Sequence, residues 1–79
     1  VKDQQYSGGY FMPNRPYPSF LLYKDRQGQF RWRCESANYK TIADCSEGYH
    51  NLADCEHGLS LLKSPLPIWE TPDVTQSRR

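Results

Sequence analysis

No apolar run in this sequence approaches the roughly 20 residues that a membrane-crossing helix needs. The opening stretch, VKDQQYSGGY, lacks the hydrophobic segment of a secretory signal. Cysteine is sparse, with three at positions 34, 45 and 55, and their spacing fits no template for a tetrahedral zinc site. An odd number of cysteines cannot pair fully within one chain, so we read them as small apolar side chains of a protein in the reducing cytoplasm. Charge of one sign is lacking too. Ten Lys and Arg stand against nine Asp and Glu, a net charge of +1, so no long-range field draws the whole molecule to nucleic acid or an anionic membrane. These absences lead us to expect a cytoplasmic protein with no metal, no cofactor and no membrane partner.

Aromatic residues are plentiful. They make up 14% of a chain that is only 37% hydrophobic, a share that argues for a compact centre despite the low overall apolarity. The 79 residues allow one domain at most. Its six prolines all fall outside the centre, at 13, 16, 18, 65, 67 and 72. Proline removes a backbone donor and fixes φ, which limits both helices and ladders. The sequence therefore divides into a Pro/Gly-containing arm over 1–19, a domain over 20–63 and a Pro-containing tail over 64–79. Within 20–63 the charges balance, six of each sign.

The first candidate strand is FLLY, 20–23, followed by KDRQG, in which Asp25 and Gly28 suit a tight reversal. QFRWRCESA then alternates with period two, placing Phe30, Trp32 and Cys34 on one face and Arg31, Arg33 and Glu35 on the other. The second face reads as the solvent side, its arginines meeting acids across the sheet. TIADC, 41–45, forms a third strand after a turn at Asn38 and Tyr39. Tyr39 does not suit a two-residue hairpin with positive φ at both centres.

Beyond it, Asn51 and Asp54 resemble a capping box, and Leu52, Cys55, Leu59 and Leu62 form one stripe of a helix that ends near Lys63. His50 just before that helix and His57 on it are expected to face solvent, which leaves Cys55 without a catalytic partner. Gly48 is expected to supply positive φ before the helix. The architecture is α+β: a β-β-β-α unit, an antiparallel three-stranded meander with one amphipathic helix on one face.

The order FLLYKDRQGQFRWR, IADCSEGY, ADCEHGL resembles the YegP-like family, the DUF1508 or UPF0339 domain. The resemblance spans 20–63 and rests on Tyr23, Lys24, Asp25, Gly28, Arg31, Trp32, Arg33, Ile42, Ala43, Glu47, Gly48, Tyr49, Cys55 and Gly58. It implies an α+β unit found in tandem, or singly in chains that pair, and a family without an established biochemical activity. Tyr39, Cys34, Cys45 and Leu52 depart from the pattern, at positions where that family usually carries glycine, an aliphatic residue, serine and lysine.

A small core and two unpaired sheet edges are completed most simply by a second copy. The sequence thus points to a non-catalytic homodimeric protein-binding or adaptor module. Glu47 and Tyr49 of SEGY, and Trp69 between the prolines of the tail, are its candidate partner-binding residues. The alternative is weak single-stranded nucleic-acid binding through Lys24, Arg31, Arg33 and Lys40.

Overall fold

The computed structural model describes residue 12, residues 14–38 and residues 40–78. The elements run β1 (Ser19–Lys24), β2 (Phe30–Glu35), β3 (Thr41–Asp44), α1 (Leu52–Ser60), β4 (Ile68–Glu70) and α2 (Pro72–Ser77). They form one four-stranded sheet in the order β3-β2-β1-β4. β1 and β3 run antiparallel to β2, whereas β4 runs parallel to β1.

The expected three-stranded antiparallel meander with one helix is thus corrected to a four-stranded mixed sheet with two helices. The prolines of the C-terminal residues explain how the extra elements are accommodated. Ile-Trp-Glu contains none, so all three residues keep their donors and can form a short ladder beside β1. Pro67 contributes only its carbonyl, which accepts from Phe20 N at 2.9 Å. Pro72 occupies the first turn of α2, where an N–H would have no intrahelical acceptor.

The β1–β2 turn is organised by Asp25. Its Oδ1 accepts from the amides of Gln27 and Gln29, each at 2.9 Å, and Gly28 takes φ 81°, a conformation that costs glycine little. The β2–β3 connection is longer than a two-residue hairpin, with Ser36 N donating to Lys40 O at 2.9 Å. Tyr39 itself lies outside the described residues. β3 then carries a register shift opposite Cys34 and Glu35.

The core lies between one face of the sheet and the helices. Phe20 and Leu22 of β1, Phe30, Trp32 and Cys34 of β2, Cys55 and Leu59 of α1, and Val74 of α2 are all buried there. Phe20 meets Trp32 edge to face, with ring centroids 5.7 Å apart. Full burial of each large side chain contributes about 1.5–3 kcal/mol.

Asn51 is the N-cap residue of α1, but its side chain bonds Asp54 Oδ2 at 3.3 Å instead of a backbone amide. Leu62 does not complete the expected stripe and is 48% exposed. α1 stops at Ser60, short of the expected end near Lys63; Leu61 is its C-cap and still bonds His57 O, whereas Leu62 N tightens to Leu59 O at 3.1 Å. Lys63 closes that turn with φ 52°.

Candidate functional site

The second face of the sheet departs most from the reading of the sequence. Arg33 and Glu35, expected on the solvent side, are 4% and 3% exposed. Ser19 and Leu21 share this face through their pairing with Glu35 and Arg33, and both are fully buried. The alternation was read correctly, but the part of this face formed by Ser19, Leu21, Arg33 and Glu35 is not wet, while Arg31 nearer the turn stays half-exposed.

Arg15 makes the burial of Glu35 tolerable. Its Nη1 donates to Glu35 Oε1 at 2.7 Å, its Nε to Ser19 Oγ at 2.7 Å, and its guanidinium lies 4.7 Å from the centre of the Tyr17 ring. Arg33 completes the cluster, with Nε 3.1 Å from Glu35 Oε2 and its guanidinium 4.8 Å from the Tyr23 ring centre. A lone buried carboxylate is costly, and two guanidiniums, one of them also held by the Ser19 hydroxyl, offset that cost.

Toward the β1–β2 turn this face opens into a cleft of about 480 Å³. Tyr23, Arg31 and Arg33 line it from the two central strands, Thr41 and Asp44 from β3. The turn adds Asp25, Arg26 and Gln27. Arg31 Nε donates to Asp25 Oδ2 at 2.7 Å. Burial pushes the Asp25 carboxyl up, but the Arg31 hydrogen bond and the two turn amides outweigh it and hold the group below the usual carboxylate range. The same hydrogen bond raises Arg31, so the pair stays charged. Burial raises the Tyr23 phenol, with Arg33 pulling the other way.

The four cations of the nucleic-acid alternative do not converge. Arg31 and Arg33 line the cleft. Lys24 projects from the core side of the sheet, its Nζ 5.3 Å from the Phe30 ring centre, and Lys40 is exposed before β3.

The candidate partner-binding residues are also dispersed. Glu47 is exposed after β3. Tyr49 is half-buried against the core and exchanges two backbone hydrogen bonds with Phe30, each 2.8 Å. Its hydroxyl lies where a side chain on Gly58 would stand, so it ties α1 to the sheet. Trp69, half-buried, pairs with Leu21 on the opposite edge. Gly48 does not adopt positive φ as expected; its missing side chain instead makes room for Gln29.

His50 and His57 are exposed, and burial pushes the Cys55 thiol up to about 12, with Cys45 and Glu56 adding to the shift. Among the described residues no three His, Cys, Asp or Glu side chains gather as a metal site. Arg15 was missed altogether. Its signal was the period-two run Arg15, Tyr17, Ser19, Leu21, Tyr23, which starts inside the proline-rich flank.

Residues 25–67 match the family described as "Domain of unknown function (DUF1508)". A UPF0339 protein of Neisseria meningitidis serogroup B is 47% identical over 45 residues, covering 57% of this chain and 79% of that protein. A UPF0339 protein of a serogroup A strain matches with the same identity and coverage. No solved structure matches the chain.

Proposed function

Because this chain belongs to the DUF1508 family, a family of unknown function, we propose that it is a non-catalytic protein-binding module that pairs with a second copy through the β3 edge. The observation that carries this reading is β3 itself. All four of its residues are exposed at the rim of the sheet, with Ile42 57% exposed, and the outer side of such a strand is a ready template for another.

The segment is also self-complementary in charge. Lys40 precedes β3, while Asp44 and Glu47 lie at and beyond its end, all three exposed. Antiparallel pairing about a two-fold axis brings the basic end of each copy to the acidic end of the other, whereas parallel pairing stacks like charges. Glu47 then lies at the rim of the paired sheet, with Tyr49 beside it, as the surface offered to a further protein. Trp69 marks a separate contact at the β4 edge.

The proposed setting is the cytoplasm, where three free thiols persist. No helix among the described residues is long and apolar enough to cross a membrane.

Sedimentation velocity at tens of micromolar tests the pairing. A species of twice the 9.3 kDa chain mass is expected, reduced to the single mass by Ile42→Lys with an unchanged circular dichroism spectrum. A single-mass species at every concentration, or a dimer indifferent to Ile42→Lys, overturns the proposal.

A further inference from the structure

We propose that the cleft beside the β1–β2 turn binds the phosphate group of a nucleotide. The inference does not require β3 pairing, although Thr41 and Asp44 belong to that strand, and it rests on how the cleft holds its charges. Asp25 directs its acceptors inward, Oδ1 to two turn amides and Oδ2 to Arg31 Nε. Its negative charge is thereby matched at close range. Arg31 is held by that one Nε contact, and its terminal nitrogens make no other hydrogen bond among the described residues. A guanidinium anchored through Nε presents its other edge as a planar fork, the geometry that receives two phosphate oxygens at once.

Arg26 projects from the same turn, exposed and in no ion pair among the described residues. Arg33, fixed by Glu35 and the Tyr23 ring, adds positive potential at the buried side. Across the cleft, Thr41 supplies a hydroxyl and Asp44 an opposing carboxylate. The volume of about 480 Å³ falls within the range of small-molecule sites. Arg31 and Arg33 are held in place before any ligand arrives, which lowers the ordering cost of binding.

Asp44 gives the inference a directional test. If an anion occupies the cleft, neutralising Asp44 must tighten binding while neutralising Arg26 must weaken it. Adenosine 5′-monophosphate, titrated into the full chain at low salt and followed by amide and arginine Nε shifts in two-dimensional NMR, is expected to move Arg26, Arg31 and Thr41 saturably. Adenosine is expected to move none of them. Arg26→Gln, which removes no ion pair, should weaken binding about tenfold, and Asp44→Asn should strengthen it severalfold.

A decathymidylate arm distinguishes the source of the phosphate. Tighter binding of the oligonucleotide at the same residues assigns the site to a nucleic-acid strand, and tighter binding of the mononucleotide assigns it to a free nucleotide. Absence of saturable shifts, equal response to adenosine, or affinity unmoved by both substitutions overturns the inference.

Discussion

Arg15 and Glu35, twenty positions apart in sequence, meet at 2.7 Å with side chains only 3% and 4% exposed. The contact links the segment preceding β1 to the last residue of β2. With Arg33 Nε 3.1 Å from the other carboxylate oxygen, Glu35 is the shared counter-charge of two buried cations, and removing it takes that carboxylate from both.

Glu35→Ala is therefore expected to destabilise the protein by about 3–5 kcal/mol, the range for breaking a buried ion pair from one side. Urea unfolding of the variant against the parent checks this. An effect below about 1 kcal/mol, as for an exposed pair, would show that the cluster is hydrated in solution.

Asp25→Ala removes the acceptor of two turn amides and of Arg31. A loss of about 1.5–3 kcal/mol is expected, given hydrogen bonds to a charged group that is only partly buried. The pH dependence has a defined sign. The folded carboxyl sits below its ordinary value of 3.8, so its contribution is present above that pH and fades as pH falls through the lower folded value. Acid unfolding should begin at higher pH in Asp25→Ala than in the parent.

Gly58 and Tyr49 form a testable pair. A Cβ at position 58 would stand 2.5 Å from Tyr49 Oη and 3.2 Å from Cζ. Gly58→Ala alone should destabilise by about 1–3 kcal/mol through overpacking, despite the gain of about 1 kcal/mol in helix propensity. Adding Tyr49→Phe removes the closest atom and should restore most of the loss. Thermal melts of the two single variants and the double variant measure the coupling.

Cys55 is fully buried and should resist alkylation in the native state at pH 8, while half-buried Cys45 reacts first. The folded thiol is raised from 9.0 to about 12. Above pH 9 the unfolded chain therefore gives up this proton while the folded chain keeps it, and unfolding becomes easier as pH rises from 9 to 12. Cys34 and Tyr23 are shifted upward as well and act in the same direction. Cys55→Ala should flatten this alkaline decline, as measured by denaturant midpoints across that window.

What could be read from the sequence, and what could not, divides along physical lines. The alternation of Phe30, Trp32 and Cys34 identified the core face because period two is a property of the strand itself. Asp25 with Gly28, and the start of the helix after Asn51 though not the bond its side chain makes, were readable because turns and helix starts depend on neighbouring residues. Whether the face of Arg33 and Glu35 is wet depends instead on Arg15, far away in sequence, and alternation carries no information about what lies above a sheet. Ile68–Glu70 is too short to show any period, and the flanking prolines disguised it. The candidate site split in the same way. Arg31 and Arg33 were found because they share a strand, whereas Arg26, Thr41 and Asp44 join them only once the turn and β3 are in place.

The parallel pairing of β4 with β1 has a consequence for biosynthesis. β1 is an interior strand, but its second neighbour is made of residues 68–70, which leave the ribosome well after β1, β2 and β3. A nascent chain can zip the two hairpins while one flank of β1 stays bare, and it covers that flank only when residues 68–70 emerge. A product that stops short of residue 68 would therefore keep β1 as a bare edge, open to pairing with another chain.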